Sequence, residues 1–143
     1  PYRRQRQMCI RDSRYTESGR EEIHRMLGVN IEILIWLMRN PRLGQSVEYA
    51  DNRISLYAAQ YGKCAVTGRT LALHEIHCHH KRPKSAGGTD AYANLVIVSE
   101  AIHQLVHATD EKTISRLLRT LRLDDQQRNK LNKLRKQANL NAI

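Results

Sequence analysis

A mostly helical α+β domain with one short two-stranded hairpin is the fold class this chain predicts. Three observations carry it. Apolar residues recur at helical spacing behind capping residues on either side of a central segment. That central segment changes period, with a turn at Thr67-Gly68 and a short β-branched run from Leu95 to Val98. At 143 residues there is room for one core and a small appendage, and too little for two full-size domains.

The elements follow in order. Ser18-Gly19-Arg20-Glu21 has the spacing of a capping box and leads into a short helix from about Gly19 to Leu27. Asn30 caps a second helix through Ile31, Ile33, Leu34, Trp36, Leu37 and Met38, which Asn40-Pro41 should end because proline lacks the N–H and disfavours helix before it. The apolar face of this helix is wide and residues 14–45 offer little core for it, so they read as the helical remnant of a preceding, larger region. A third helix starts at Ser46, carries Tyr49, Ile54, Leu56, Tyr57 and Tyr61, and has Gly62 suited to the left-handed C-terminal cap. Leu71 to Cys78 reads as a strand that pairs with Leu95 to Val98 across a loop from Pro83 to Ala93 centred on Gly87-Gly88. Ser99 caps a helix bearing His103 and His107, Thr109 or Asp110 caps the next through Leu121, and Asp124 or Asp125 starts a last one with Leu131 and Leu134.

Charge narrows the partners. Lys and Arg number 24 against 14 Asp and Glu, a formal +10, which points to a polyanion such as nucleic acid. Residues 111–143 hold nine of those cations against three acids. The longest apolar run, Ile31 to Met38, is interrupted by Glu32 and falls far short of the roughly 20 residues needed to cross a bilayer, so no membrane partner is expected. Three cysteines, Cys9, Cys64 and Cys78, do not make a disulfide framework, and a reducing cytoplasm fits them. Residues 1–13 have neither periodicity nor caps, and Arg3 to Asp12 resembles the in-frame translation of a transposase-type sequencing adapter; the alternative is a basic arm that binds nucleic acid. This stretch holds four Arg and one Asp, so setting it aside still leaves +7.

Six of the seven histidines fall between His74 and His107. His103 and His107 are four apart on a helix, share one face and can hold one metal ion. In Cys78-His79-His80 neighbouring side chains of an extended segment point to opposite sides, so one can bind while the other works. If His79 turns to the helix it completes a three-imidazole site with His103 and His107. His80 then faces substrate with a free imidazole suited to take a proton from water.

His79-His80, Asn94-Leu95-Val96 and His103-x-x-x-His107, in this order around a Gly-Gly loop, resemble the HNH nuclease motif over roughly Gly62 to Ala108. The resemblance implies a ββα-metal fold in which a hairpin and one helix clasp a single divalent ion. It casts His80 as general base, Asn94 as the brace of loop and base, and His79, His103 and His107 as metal ligands. Three imidazoles accept magnesium, manganese, zinc or nickel, so the spacing does not choose the ion. A wider resemblance, through Glu48 to Tyr57 and Gly62 to Gly68, is to the C-terminal end of bacterial group II intron-encoded reverse transcriptase/maturase proteins. It implies that residues 14–45 correspond to the region between thumb and nuclease, and residues 46–143 to the endonuclease domain. It also implies second-strand DNA cleavage in intron mobility and, through the parent protein, intron RNA as a partner. No polymerase motif is present, so the chain reads as a fragment of such a protein.

Many HNH domains carry two cysteine pairs for a structural zinc, at positions matching Cys64, Thr67, Ser99 and Ile102. Three of these cannot supply thiolates, so no structural zinc is expected. Apolar packing by Leu71, Leu73, Ile76, Leu95, Ile97 and Val98 should hold the hairpin instead. Cys78 reads as a buried thiol before a ligand. Lys81, Arg82 and Lys84 follow the base and are placed to contact the phosphates of double-stranded DNA, and Arg128, Lys130, Lys133, Arg135 and Lys136 form a second basic stripe. The competing reading is a metal-stabilised module that binds nucleic acid without cutting it.

Overall fold

The computed structural model describes residues 29–143. The adapter-like stretch and the helix expected from Gly19 to Leu27 lie outside the described residues. Asn30 opens α1 (Ile31–Arg39), its Oδ1 accepting from Glu32 N at 2.9 Å and Ile33 N at 3.3 Å. Ser46 opens α2 (Val47–Ala59) in the same way, accepting from Tyr49 N at 3.0 Å.

The end of α2 differs from expectation by one residue. Gly62 has φ +67°, but Tyr61 before it is also left-handed at +56°. Tyr61 N donates to Ala58 O and Gly62 N to Tyr57 O, at 3.0 and 2.9 Å, a Schellman closure with tyrosine at the left-handed position and glycine after it.

β1 (Ile76–His80) and β2 (Leu95–Ser99) pair antiparallel, with His79 opposite Val96 and His80 opposite Leu95. The strand expected from Leu71 therefore begins five residues late. Ser99, the partner of Ile76, is already the N-cap of α3 (Glu100–His107), so no extended backbone remains to pair with residues 71–75. The chain makes a 3-10 turn at Leu73–Glu75 instead, and Leu73 is left 38% exposed rather than packed under the hairpin. Two basic helices follow, α4 (Glu111–Leu121) capped by Asp110 and α5 (Asp125–Gln137) capped by Asp124 in a capping box with Gln127.

The core lies between the hairpin and the helices. Leu95, Ile97 and Val98 of β2, Ile102, Leu105 and Val106 of α3, and Leu131 of α5 are fully buried in it. A second cluster joins α1 to α2 and β1 through Val29, Leu37, Tyr57 and the half-buried Ile76. Two buried arginines tie helix ends together. Arg53 donates to Leu37 O and Asn40 O at the end of α1, and Arg135 to Leu105 O and Ala108 O at the end of α3. Among the described residues, no helix is long and apolar enough to cross a membrane.

Candidate metal centre

Alternation along β1 divides its histidines between two sides. His77 and His79 meet α3, while His80 stacks on Tyr49 of α2, the ring centroids 5.6 Å apart. On the α3 side, one helical turn brings His103 and His107 over His79. Each ring offers a nitrogen, and these three atoms lie within 4.8 Å of one another. The rings stand edge to face, with centroids separated by 5.3 Å (His79 to His103), 5.1 Å (His79 to His107) and 4.6 Å (His103 to His107). His79, His103 and His107 are thus close enough to hold a metal ion.

The donor set also fits one chemically. His79 is 1% exposed, and its Nε2 is buried without a hydrogen-bond partner. An orphaned imidazole nitrogen costs free energy unless something coordinates it. Burial, reinforced by the neighbouring His107, lowers the His79 pKa to about 4. Burial and His77 lower that of His103 to about 3, and burial with the nearby Arg135 lowers that of His107. All three rings are therefore neutral near pH 7, the state in which imidazole binds metals.

His77 stacks flat on His103, centroids 3.8 Å apart and planes within 13°, and its Nδ1 is also buried and unpartnered. His77 thus packs against a member of the triad, whereas the His74 side chain stands in solvent, 81% exposed. Cys78 is buried on the Tyr49 side, outside the triad, with its thiol pushed up to about 11 by burial.

His80 is not the free imidazole expected. Its Nε2 meets Asp90 Oδ1 at 2.8 Å and its side chain is 18% exposed. Asp90 was not legible as a site residue, although it is the only acid between Glu75 and Glu100, amid histidines and lysines. Its other oxygen accepts from Ser46 Oγ at 2.7 Å and Lys84 Nζ at 3.2 Å, and its backbone oxygen from Asn52 Nδ2 at 2.8 Å. The His80 and Ser46 hydrogen bonds hold its carboxyl down to about 2. An ionised Asp90 can only accept here, so His80 Nε2 carries the proton and donates it in the hydrogen bond, which leaves Nδ1 as the basic nitrogen of the neutral tautomer.

Asn94 braces the loop directly and reaches His80 only through it. Its Oδ1 accepts from Arg82 N at 2.9 Å, and its Nδ2 donates to Arg82 O and Thr89 O at 3.1 and 2.7 Å. The three cations after His80 have separate fates. Lys84 pairs with Asp90, Arg82 Nε donates to Ala86 O at 2.8 Å, and Lys81 faces away into a groove with Lys130 and Lys133. Arg135 leaves the expected basic stripe altogether, because it is 3% exposed and committed to carbonyls. At the four positions matched to zinc cysteines, Cys64 Sγ accepts from Ser99 N at 3.4 Å, Ser99 Oγ from Ile102 N at 3.2 Å, and Thr67 Oγ1 from Arg69 N at 3.3 Å.

A cleft of about 340 Å³ opens beside the triad, lined by His79, His103 and His107, by His80 and Lys84, and by Arg42 and Gln45. It joins an imidazole cluster to a carboxylate-oriented imidazole and two cations. No known protein family, curated protein or solved structure matches the chain.

Proposed function

We propose that this chain is a metal-dependent DNA endonuclease of the HNH type, its hairpin and α3 forming a ββα-metal core. The observation that carries the reading is the split between adjacent histidines. His79 is buried with His103 and His107, while His80 lines the same cleft with one nitrogen engaged by Asp90. A purely structural metal site gives no use to an oriented imidazole beside it.

His79, His103 and His107 would hold one divalent cation, which supplies Lewis-acid stabilisation of negative charge on the phosphoryl group. His80 Nδ1 takes a proton from water as the water oxygen bonds to phosphorus and the bond from phosphorus to the 3′ oxygen breaks, the departing 3′ oxygen taking a proton from solvent. Asp90 keeps His80 in the required tautomer and stabilises the imidazolium that forms. Asn94 holds the Arg82–Thr89 loop and so the position of Asp90. Lys84 contributes positive charge within the cleft for the flanking backbone of double-stranded DNA, and Lys81 and Arg82 contribute it outside the cleft, farther along the duplex. With no cysteine set at Cys64, Thr67, Ser99 and Ile102, the hairpin takes no structural zinc. In a longer parent protein related to group II intron reverse transcriptase/maturases, this activity serves second-strand cleavage, with intron RNA as a further partner.

Incubation with supercoiled plasmid tests the reading, using magnesium, manganese, zinc and nickel in turn and a chelator control. Nicked circles that depend on metal are expected. A chain that binds one ion and retains DNA, yet nicks it with none of the four, is the non-cutting module instead.

A further inference from the structure

The linker between α1 and α2 brings a charge to the cleft that the motif-bearing segment does not supply. Arg42 and Gln45 line the cleft together with His79, His80, His103 and His107, yet they lie well before Gly62, where the nuclease-like motif begins. The linker is held from within. Buried Arg53 donates from Nη2 to Leu37 O at 3.1 Å and Asn40 O at 2.8 Å, fixing the chain just before Arg42, and Gln45 N donates to Arg42 O at 3.3 Å. After burial, the dominant influence on both groups, the positive charge of Arg42 also bears on the Tyr49 hydroxyl and on His77.

Counter-charge separates the two cations of the cleft. Lys84 is 3.2 Å from Asp90, whereas among the described residues no carboxylate pairs with Arg42. A guanidinium with no acidic partner among the described residues, in a cleft shared with a cluster of imidazoles, presents a planar donor fork that matches two phosphate oxygens.

We propose that Arg42 is a phosphate-binding residue of this cleft and grips a backbone phosphate of the DNA strand that enters it. The inference rests on the endonuclease reading of the same cleft. It makes α1 and its linker part of the substrate site, so the functional unit begins before the segment that carries the motif. Gln45 is a neutral donor and acceptor lining the same cleft.

The test is fluorescence anisotropy of a short labelled DNA duplex over a salt series, with plasmid nicking and metal content measured alongside, for wild type, Arg42→Gln and Arg42→Lys. Arg42→Gln is expected to weaken binding several-fold and lower the slope of log K against log salt by about 0.9, the value for one lost phosphate contact. Metal content should stay at the wild-type level. Arg42→Lys should restore the slope without the full affinity, since a point charge replaces a fork. Wild-type affinity and slope in Arg42→Gln, while wild type nicks normally, would overturn the inference and leave the endonuclease reading standing. Loss of bound metal in Arg42→Gln would overturn it too, by making the residue a support of the triad. A wild-type chain that neither binds nor nicks DNA removes the endonuclease reading, and the inference with it.

Discussion

A buried imidazole nitrogen with no partner is an energetic debt at His79, and coordination removes it. Anything that binds only the folded chain stabilises it by mass action, by about 2.7 kcal/mol at a hundredfold excess over Kd. Titrating a divalent ion into the metal-free protein is therefore expected to raise its melting temperature, and His79→Ala to abolish the rise. A melting temperature indifferent to every ion would contradict the triad. His77 offers a finer test, because its flat contact with His103 leaves that ring little freedom to rotate. His77→Phe keeps an aromatic face there and should bind metal nearly as well as wild type, while His77→Ala should lose affinity about tenfold or more. Equal loss in both variants would show that the ring nitrogens matter and the stack does not. At this scale the sequence was informative where spacing alone decides geometry, as for His103 and His107. It was silent on Asp90 and Arg42, whose roles depend on which loops meet in space.

Elements carry the site only because their ends are closed. Asn30, Ser46 and Ser99 were legible as helix starts, and Asp124 as one of two candidates with Asp125, since a short polar side chain before an apolar period has few other uses, and each of the four accepts a first-turn N–H. The start of β1 was not legible, because Leu71 to Ile76 has strand composition and only the length of β2 decides where pairing stops. Arg135 was misread for a related reason. A basic residue on an amphipathic helix is usually solvated, and only the placement of α3 against α5 turns it inward. Arg135→Met should destabilise the fold by about 3 kcal/mol, measured by urea unfolding, since it strands buried carbonyls that now accept charged hydrogen bonds. Destabilisation under 0.5 kcal/mol would mean that water replaces the guanidinium at little cost. The loop between the strands has its own constraint at Gly88. A Cβ there would sit 1.8 Å from Arg82 O, so Gly88→Ala must displace the loop that holds Asp90, with nicking expected to fall more than stability.

For the whole molecule, the buried neutral histidine cluster ties stability to pH. His79 and His103 have folded pKa values of about 4 and about 3, against an ordinary 6.5. Below about pH 6.5 the unfolded chain binds more protons at these rings than the folded one, so acidification favours unfolding until the folded rings also protonate. Asp90 adds to the loss as pH falls from 3.8 towards 2. The metal-free chain is expected to melt at progressively lower temperature between pH 7 and pH 4, and a flat profile would contradict the burial of the triad. The mostly helical α+β class was legible from periodicity, and the histidine constellation from spacing, because both are local patterns. The joining of α1 to the cleft was not, since it depends on contacts between segments far apart in the chain.

The central claim is that two adjacent histidines divide the work, His79 holding an ion and His80 moving a proton. Comparing His80→Ala with wild type for bound metal per chain and plasmid nicking rate in the same preparation tests it most directly. Wild-type metal content with nicking reduced at least about a hundredfold is the expected result. Nicking at the wild-type rate, or loss of the ion along with activity, would contradict it.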